Sequence, residues 1–306
     1  MKILIVANHF FCCSARYAAD AFVRLKHDVR HIGPAMGNRI WGLSLPERYT
    51  WEPDDPFYQE EQWWDDGCHE ADLCIVMDSD PAMLDFVRGF DFTPRVVWGV
   101  DNHVRDYRRP WFQHYFLAHR GVSLMPWYAD GDLDREYDDM TQLPCAADSQ
   151  YFPRSTIPWE QRTWDVACLG VPYPQRMQLI DAMKNAGLKV IWGQGLVYES
   201  YASIYQDARV SLCVSAAGDV GQRIYETARM GCAVLSDPLR DLNWPHPIIQ
   251  YQNVEYAVKI ARSLQHDPAR GEVCAGWAIN ETWDARCQTL LATCAERGLI
   301  SEVVTT

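Results

Sequence analysis

Short apolar runs rich in β-branched residues alternate along the chain with segments in which apolar residues have helical spacing. Runs of this kind predict buried strands. They fall at 2–7, 28–32, 73–77, 95–100 and 122–125 in the first half, and at 166–169, 189–192, 210–214 and 232–235 in the second. Helical spacing lies between them, for example at 15–25 and 177–186. This alternation predicts an α/β fold with two Rossmann-like domains, each a doubly wound parallel sheet.

The periodic pattern stops near the middle of the chain. Residues 149–164 contain Pro153 and Pro158 and have neither strand nor helix spacing. We therefore expect an N-terminal domain over 1–148, a linker over 149–164 and a C-terminal domain over 165–306. A chain of 306 residues is long enough to give each domain its own core.

Charge and cysteine content narrow the classes of partner. The formal net charge of −13 disfavours a broad nucleic-acid-binding surface and docking to an anionic membrane. The 11 cysteines are odd in number and scattered through apolar runs, which is typical of free thiols in a reducing compartment. The N-terminal MKILIVANHF predicts a first strand rather than a signal peptide, and no apolar run approaches the length of a membrane span. We therefore expect a cytoplasmic protein with no membrane partner.

The segment 210–237 has the pattern of a strand, a glycine-bearing turn, a helix and a second strand. Gly218 and Gly221 bracket the turn, and a helix N-terminus after such a turn attracts anions. Arg223 in the first helical turn offers a planar fork of donors to a phosphate. Glu226 follows on the same face and can accept hydrogen bonds from a ribose diol. The pair fits a nucleoside diphosphate, and the alternative is an ordinary i,i+3 surface ion pair.

A longer pattern extends from this segment in both directions. It consists of YASIY at 201–205, ARVSLCVS at 208–215, GQRIYETA at 221–228, GCAVLSD at 231–237 and WDAR at 283–286. The pattern resembles the donor-binding core of the GT-B glycosyltransferases, in the group that contains the CgeB-like proteins and the "glycosyl transferases group 1" C-terminal domain. It covers 165–291, whereas the N-terminal half matches in layout only. The resemblance implies that the two domains face a central cleft, with a last helix over about 280–296 packing back on the N-terminal domain.

The resemblance also implies a set of donor contacts. Glu226 would hold the ribose, and the diphosphate would be held by Arg223, Arg176 and the backbone of Gly221 and Gln222. The loop that begins at Gly170 would lie at the phosphates, and Trp192 and Gly193 would lie near the base. For Arg176 the alternative is a solvated arginine in a first helical turn, and for Trp192 it is a place in the core. The chain departs from the pattern at Gly218, where related retaining enzymes carry a second glutamate. That departure leaves the donor-sugar contact and the stereochemical outcome open.

Catalytic candidates come from the N-terminal half. Asp101 and His103 follow a predicted strand, and His9 follows the first strand, so all three would face the cleft of a GT-B fold. An aspartate or a histidine suits a general base for an acceptor hydroxyl. The alternative for Asp101 is a helix N-cap, and retaining members of the family often use no dedicated base.

We expect no metal and no cofactor, since the pattern around Glu226 belongs to a metal-independent fold. Asp78 and Asp80 have the spacing of a metal pair, but the sequence Asp-Ser-Asp-Pro also serves as a helix cap.

The sequence as a whole favours a metal-independent hexosyl- or pentosyltransferase that uses a nucleotide-sugar donor, with a UDP-sugar preferred and the hydroxyl acceptor unidentified. Two alternatives stay open. One is a phage-type DNA glycosyltransferase acting on a hydroxymethylated base, which the net charge of −13 disfavours. The other is a nucleotide-sugar-binding protein without transfer activity, which the glycine at position 218 suggests.

Overall fold

The structure is a computed structural model of the chain. It describes residues 1–7, 13–32, 39–40, 43–44, 71–77, 95–98, 122–125, 140–215, 220–239 and 246–301. The chain divides into two compact units. One comprises Met1–Pro144 together with Trp283–Thr306, and the other comprises Cys145–Thr282. No described helix combines the length and the hydrophobicity that a membrane crossing requires.

The first unit contains a six-stranded sheet. Its described elements in chain order are β1 (Lys2–Val6), α1 (Ser14–Arg24), β2 (Asp28–Ile32), the short antiparallel pair β3 (Arg39–Ile40) and β4 (Leu43–Ser44), β5 (Leu73–Met77), β6 (Arg95–Trp98), β7 (Val122–Met125) and β8 (Met140–Gln142). The strand order is β2-β1-β5-β6-β7-β8, and every neighbouring pair is parallel. The central strands β1 and β5 are almost wholly buried, as expected for a parallel sheet covered on both faces.

The C-terminal helix (Trp283–Glu296) belongs to this first unit. Its first residue, Trp283, is fully buried, and its ring centroid lies 5.4 Å from that of Trp98 and 6.3 Å from that of Tyr17 on α1. Arg24 at the end of α1 donates from Nε to the Asp284 carboxylate at 2.9 Å. An aromatic cluster and an ion pair therefore attach this helix to α1 and β6, although more than half of the chain separates them in sequence.

The second unit repeats the architecture with a five-stranded sheet. Its elements are β9 (Trp164–Leu169), α2 (Pro174–Asn185), β10 (Val190–Gly193), α3 (Tyr198–Gln206), β11 (Ala208–Cys213), α4 (Arg223–Arg229), β12 (Ala233–Ser236), β13 (Ile249–Gln250), α5 (Val254–Leu264) and α6 (Pro268–Ala278). The strand order is β10-β9-β11-β12-β13, again with every pair parallel. The two Rossmann-like sheets expected from the apolar pattern are thus both present.

The expected linker at 149–164 is part of the second unit, which differs from the sequence-based division. Arg162 is 7% exposed, and its Nη1 donates to the carbonyls of Ala208 at 2.9 Å and Gly231 at 2.8 Å. Its guanidinium also lies over the Trp159 ring, 5.0 Å from the centroid. These contacts join the segment to distant parts of the chain, so local spacing does not reveal them.

The aromatic contact of the C-terminal helix leads to a stability prediction. Replacing Trp283 by alanine removes a fully buried indole from between Trp98 and Tyr17. We expect a loss of about 3–5 kcal/mol in the free energy of unfolding, which urea denaturation would measure. The control is Tyr256→Ala on α5, where the side chain is 40% exposed, and we expect a change several times smaller. Equal losses in the two variants would contradict the packing described above.

Candidate anion-binding site of the second unit

The carboxyl ends of β9 and β10 are joined by two hydrogen bonds. The Gly170 amide donates to the Gly193 carbonyl at 2.8 Å, and the Trp192 indole Nε1 donates to the Gly170 carbonyl at 3.2 Å. Ligands of parallel α/β sheets bind at this edge, because the loops that follow the strands lie together there. Gly170 directly follows β9 and has a φ of +126°. Residues other than glycine rarely adopt this backbone conformation.

Two guanidinium groups meet at Gly170. A Cβ atom placed on this glycine would lie 2.8 Å from Nη1 of Arg176 and 2.9 Å from Nη2 of Arg223. Arg176 lies in the first turn of α2, and Arg223 is the first residue of α4. The glycine therefore provides both the backbone turn and the space that two arginines from different helices need to converge.

The described residues do not neutralise this pair of cations. Arg176 is 4% exposed and donates to main-chain carbonyls, to that of Val214 at 2.6 Å and to that of Val171. The Nε atoms of Arg176 and Arg223 are buried without a hydrogen-bond partner. Within the described ranges, no carboxylate forms an ion pair with either arginine.

The electrostatic environments of the two arginines differ. Burial acts to lower the pKa of the Arg223 guanidinium, but Tyr205 and Tyr201 outweigh burial, so this pKa is raised. Burial lowers the pKa of the Arg176 guanidinium, and the Arg223 cation lowers this pKa further. The Cys168 thiol, on β9, stays protonated because burial raises its pKa to about 11 in spite of both arginines. A pair of like charges held together in this way is suited to bind an anion with at least two charged oxygens.

Glu226 lies one turn into α4 and is 6% exposed. Gln222 donates from Nε2 to Oε1 of Glu226 at 2.6 Å, and the Tyr201 phenol of α3 interacts with the same carboxylate. Burial raises the pKa of Glu226 above its ordinary value, while these neighbours and Arg223 oppose that increase. The surface ion pair between Arg223 and Glu226, which the spacing left open as an alternative, is not formed. A Cβ atom placed on Gly221, just before α4, would meet no described atom within 4 Å.

The structure brings most of the predicted donor-binding residues to one edge of the sheet. The hydrogen bonds and the close approach at the carboxyl ends of β9 and β10 involve five of them: Gly170, Gly193, Trp192, Arg176 and Arg223. Gly221, Gln222 and Glu226 extend the group along the start of α4. The solvated alternative for Arg176 is excluded by its burial, while Trp192 is half-buried and uses its indole N–H within the protein.

The candidates for catalysis and for metal binding lie outside the described residues. These are Asp101, His103 and His9 for catalysis, and Asp78 and Asp80 for a metal. The turn residue Gly218 and its neighbour Asp219 are outside them as well.

Two polar groups at this edge were not singled out from the sequence. Tyr201 appears in the family pattern, but its spacing does not indicate that its hydroxyl reaches Glu226. Asp237, after β12, accepts hydrogen bonds from the Ser215 amide at 3.1 Å and the Ser215 hydroxyl at 3.0 Å. Burial raises the pKa of Asp237. The only available signal was position, since each polar residue directly follows a predicted strand or lies on a helix beside one.

The space at Gly170 can be tested with an alanine substitution. Gly170→Ala would place a methyl group against both guanidinium groups, and we expect at least a 10-fold loss of affinity for inorganic pyrophosphate, measured by calorimetry. Gly187→Ala is the matched control, because Gly187 also has a positive φ (+86°) but no atom lies within 4 Å of the position that its methyl group would take. Both variants should lose about 1–3 kcal/mol of stability from backbone strain. Equal pyrophosphate affinity in the two variants would contradict the role given to Gly170.

The burial of Glu226 predicts a dependence of stability on pH. A carboxyl group whose pKa is higher in the folded than in the unfolded state stabilises the fold at low pH, and this contribution is lost as the pH rises through the folded-state pKa. Glu226→Gln should therefore be more stable than the natural protein at neutral pH, and the difference should vanish below the ordinary pKa of glutamate. Urea unfolding across this pH range measures it, with the exposed Glu255→Gln as the control. A difference that does not change with pH would contradict the assignment.

Residues 155–292 match the family model described as glycosyl transferase-like. Among curated proteins, none is significantly similar to the chain in sequence.

Several solved structures share the fold at low sequence identity. Starch synthase IV from Arabidopsis thaliana, solved with ADP and acarbose, has a TM-score of 0.62 and 11% identity over 97% of this chain and 99% of its own. Sucrose-phosphate synthase from Thermosynechococcus elongatus has a TM-score of 0.53 and 12% identity over 97% of each chain. A candidate UDP-N-acetylglucosamine 2-epimerase from Listeria monocytogenes has a TM-score of 0.56 and 9% identity over 97% of this chain and 96% of its own. The chain therefore has the two-domain fold of the GT-B glycosyltransferases, and its residues 155–292 are similar to the glycosyl transferase-like family.

Proposed function

We propose that the protein transfers a sugar from a nucleotide-sugar donor, a UDP-sugar, to a hydroxyl acceptor. The observation that carries the proposal is the pair of arginines at Gly170. Arg176 and Arg223 approach the same point, each has a buried Nε without a partner, and no described carboxylate forms an ion pair with them. A diphosphate supplies the charge and the multiple acceptor oxygens that this pair lacks.

The same arrangement can promote transfer. In the reaction, the bond between the sugar C1 and the β-phosphate oxygen breaks, a bond forms between C1 and the acceptor oxygen, and the acceptor loses its proton. The departing nucleoside diphosphate gains one negative charge in this process. Arg176 and Arg223 would bind that charge more strongly in the transition state than in the donor, which is the condition for a binding interaction to increase the rate. We propose that these two cations take the place that a divalent metal has in other transferases, and that the reaction needs no cofactor.

The remaining donor contacts follow from the order of groups along the sheet edge. Glu226 would accept a hydrogen bond from the ribose, since a carboxylate can accept further hydrogen bonds besides the one that Gln222 donates to Oε1. Gly221 and Gln222 would approach the phosphates through their backbone. Trp192 and Gly193 would face the base, with the indole held in place by its bond to the Gly170 carbonyl.

We further propose that a group of the N-terminal unit accepts the acceptor's proton, with Asp101, His103 and His9 as the residues to test. The transferred group would be a hexose or a pentose. The acceptor is best identified by an activity assay, because the residues proposed here for the second unit contact the donor and not the acceptor.

Nucleotide binding tests the proposal most directly. Thermal shift measurements with UDP, ADP, GDP and CDP should show stabilisation by UDP, of about 2.7 kcal/mol at 100 times the Kd. Arg223→Gln should weaken UDP binding roughly 10- to 100-fold, since a hydrogen bond to a charged group contributes about 1.5–3 kcal/mol. Arg209→Gln is the matched control: Arg209 is the second residue of β11, at the opposite end of the sheet, and is paired with Asp165 at 2.8 Å. No shift with any nucleotide would refute the donor site.

Turnover separates a transferase from a protein that only binds the donor. Incubation of the protein with UDP-sugars and pooled hydroxyl acceptors should release UDP, and the rate should be unchanged in the presence of EDTA. Donor binding without UDP release for any acceptor would indicate a binding protein, and loss of activity with EDTA would contradict the role proposed for the arginines.

A further inference from the structure

The peptide group between Val214 and Ser215 is hydrogen-bonded on both sides. Its carbonyl accepts from Nη2 of Arg176 at 2.6 Å, and its amide donates to Oδ2 of Asp237 at 3.1 Å. Because a trans peptide group is planar, with its C=O and N–H on opposite sides, the two bonds orient one rigid plane from both ends. This peptide group therefore connects a cation of the proposed donor site with a carboxylate that the proposed donor contacts do not include.

Asp237 is itself held in one place. It directly follows β12, and its amide donates to the Cys213 carbonyl at 3.2 Å. Its Oδ2 accepts a second bond from the Ser215 hydroxyl at 3.0 Å, and its Oδ1 accepts from the Ser236 hydroxyl at 3.1 Å. Both carboxylate oxygens and the main chain are thus fixed, so the side chain presents a stationary acceptor to the peptide group.

The orientation of this peptide group matters to Arg176. The guanidinium donates to two carbonyls, those of Val171 and Val214. The peptide group lies beyond Cys213, the last residue of β11, so the hydrogen bonds of the sheet do not hold it. Hydrogen bonds in a chain also polarise one another, so an acceptor at the amide makes the carbonyl a stronger acceptor for the guanidinium. Loss of Asp237 would let the peptide group rotate and would weaken one of the two bonds that position Arg176.

We propose that Asp237 is a positioning residue that acts through the Val214–Ser215 peptide group and holds Arg176 where it binds the diphosphate of the donor. The inference rests on the proposed function and adds a residue to the same site. Asp237 acts on the ligand only through Arg176. Arg223 reaches Gly170 from another helix and does not donate to this peptide group, so its contribution to binding should not depend on Asp237.

A double-mutant cycle tests the pathway through Arg176, with the affinity for inorganic pyrophosphate measured by calorimetry on the full chain. Asp237→Ala should lower this affinity about 3- to 10-fold, the effect of losing one hydrogen bond between neutral groups. In the Arg176→Gln background the same substitution should change the affinity by less than about twofold, because the side chain that Asp237 positions is gone. In the Arg223→Gln background it should again lower the affinity about 3- to 10-fold, because independent effects add.

Asp237→Asn separates hydrogen bonding from charge. The amide oxygen of asparagine can accept from Ser215, and its NH₂ group can donate to the Ser236 hydroxyl. We therefore expect Asp237→Asn to bind pyrophosphate within about twofold of the natural protein. If Asp237→Ala does not fold, Asp237→Leu has a similar shape without an acceptor and replaces it in the cycle.

Asp207→Ala is the matched control. Asp207 precedes β11 at the opposite end of the sheet, and its Oδ1 accepts from the main-chain amide of Thr163 at 2.8 Å. This variant should lose stability but keep its affinity for pyrophosphate. Equal losses from Asp237→Ala in the two arginine backgrounds, or a loss in Asp237→Asn as large as that in Asp237→Ala, overturns the inference and leaves the proposed function standing. No binding of pyrophosphate or of any nucleoside diphosphate by the natural protein overturns the proposed function, and this inference with it.

Discussion

The central constraint of the second unit is the close approach of two cations. Arg176 and Arg223 come from different helices, and both guanidinium groups reach the space above Gly170. Like charges at such a separation repel, and burial of Arg176 adds a desolvation cost. The fold tolerates this arrangement because main-chain carbonyls at the ends of β9 and β11 accept hydrogen bonds from Arg176, and because a glycine leaves room. An anion at this point would remove the repulsion, so the arrangement of the two arginines favours anion binding.

Arginines elsewhere in the same unit show what a structural role looks like. Arg162 has its Nη1 bonded to two carbonyls and lies over an indole ring, and Arg209 is paired with Asp165 and bonded to two further carbonyls. Both hold the 149–164 segment against the amino end of the sheet. Arg176 and Arg223 lie at the carboxyl end, where each retains a buried Nε without a partner. Residue type alone does not separate the two roles, but the end of the sheet at which each side chain lies does.

The sequence predicted those features that depend on neighbours along the chain. The apolar runs located every described strand of the two sheets except the edge strands β8 and β13, and the family pattern around Glu226 located the edge at which the arginines meet. Several features that depend on distant contacts were not predicted. The expected linker belongs to the second unit because Arg162 bonds Ala208 and Gly231, and neither contact is visible in local spacing. The burial of Glu226 and its contact with Tyr201 likewise depend on how α3 packs against α4.

The fold restricts the function less than the site does. A starch synthase, a sucrose-phosphate synthase and a candidate 2-epimerase share the two-domain architecture at 9–12% identity, so the architecture alone does not select among reaction types. In this chain the groups that carry the proposed function are two buried arginines, each with an Nε atom without a partner, and a buried carboxylate on the helix that begins with one of them. The two cations are complementary to a diphosphate, and the carboxylate can accept hydrogen bonds from a diol. A nucleoside diphosphate with a ribose is a single molecule that carries both groups, which is why the proposed function names a class of donor and leaves the acceptor open.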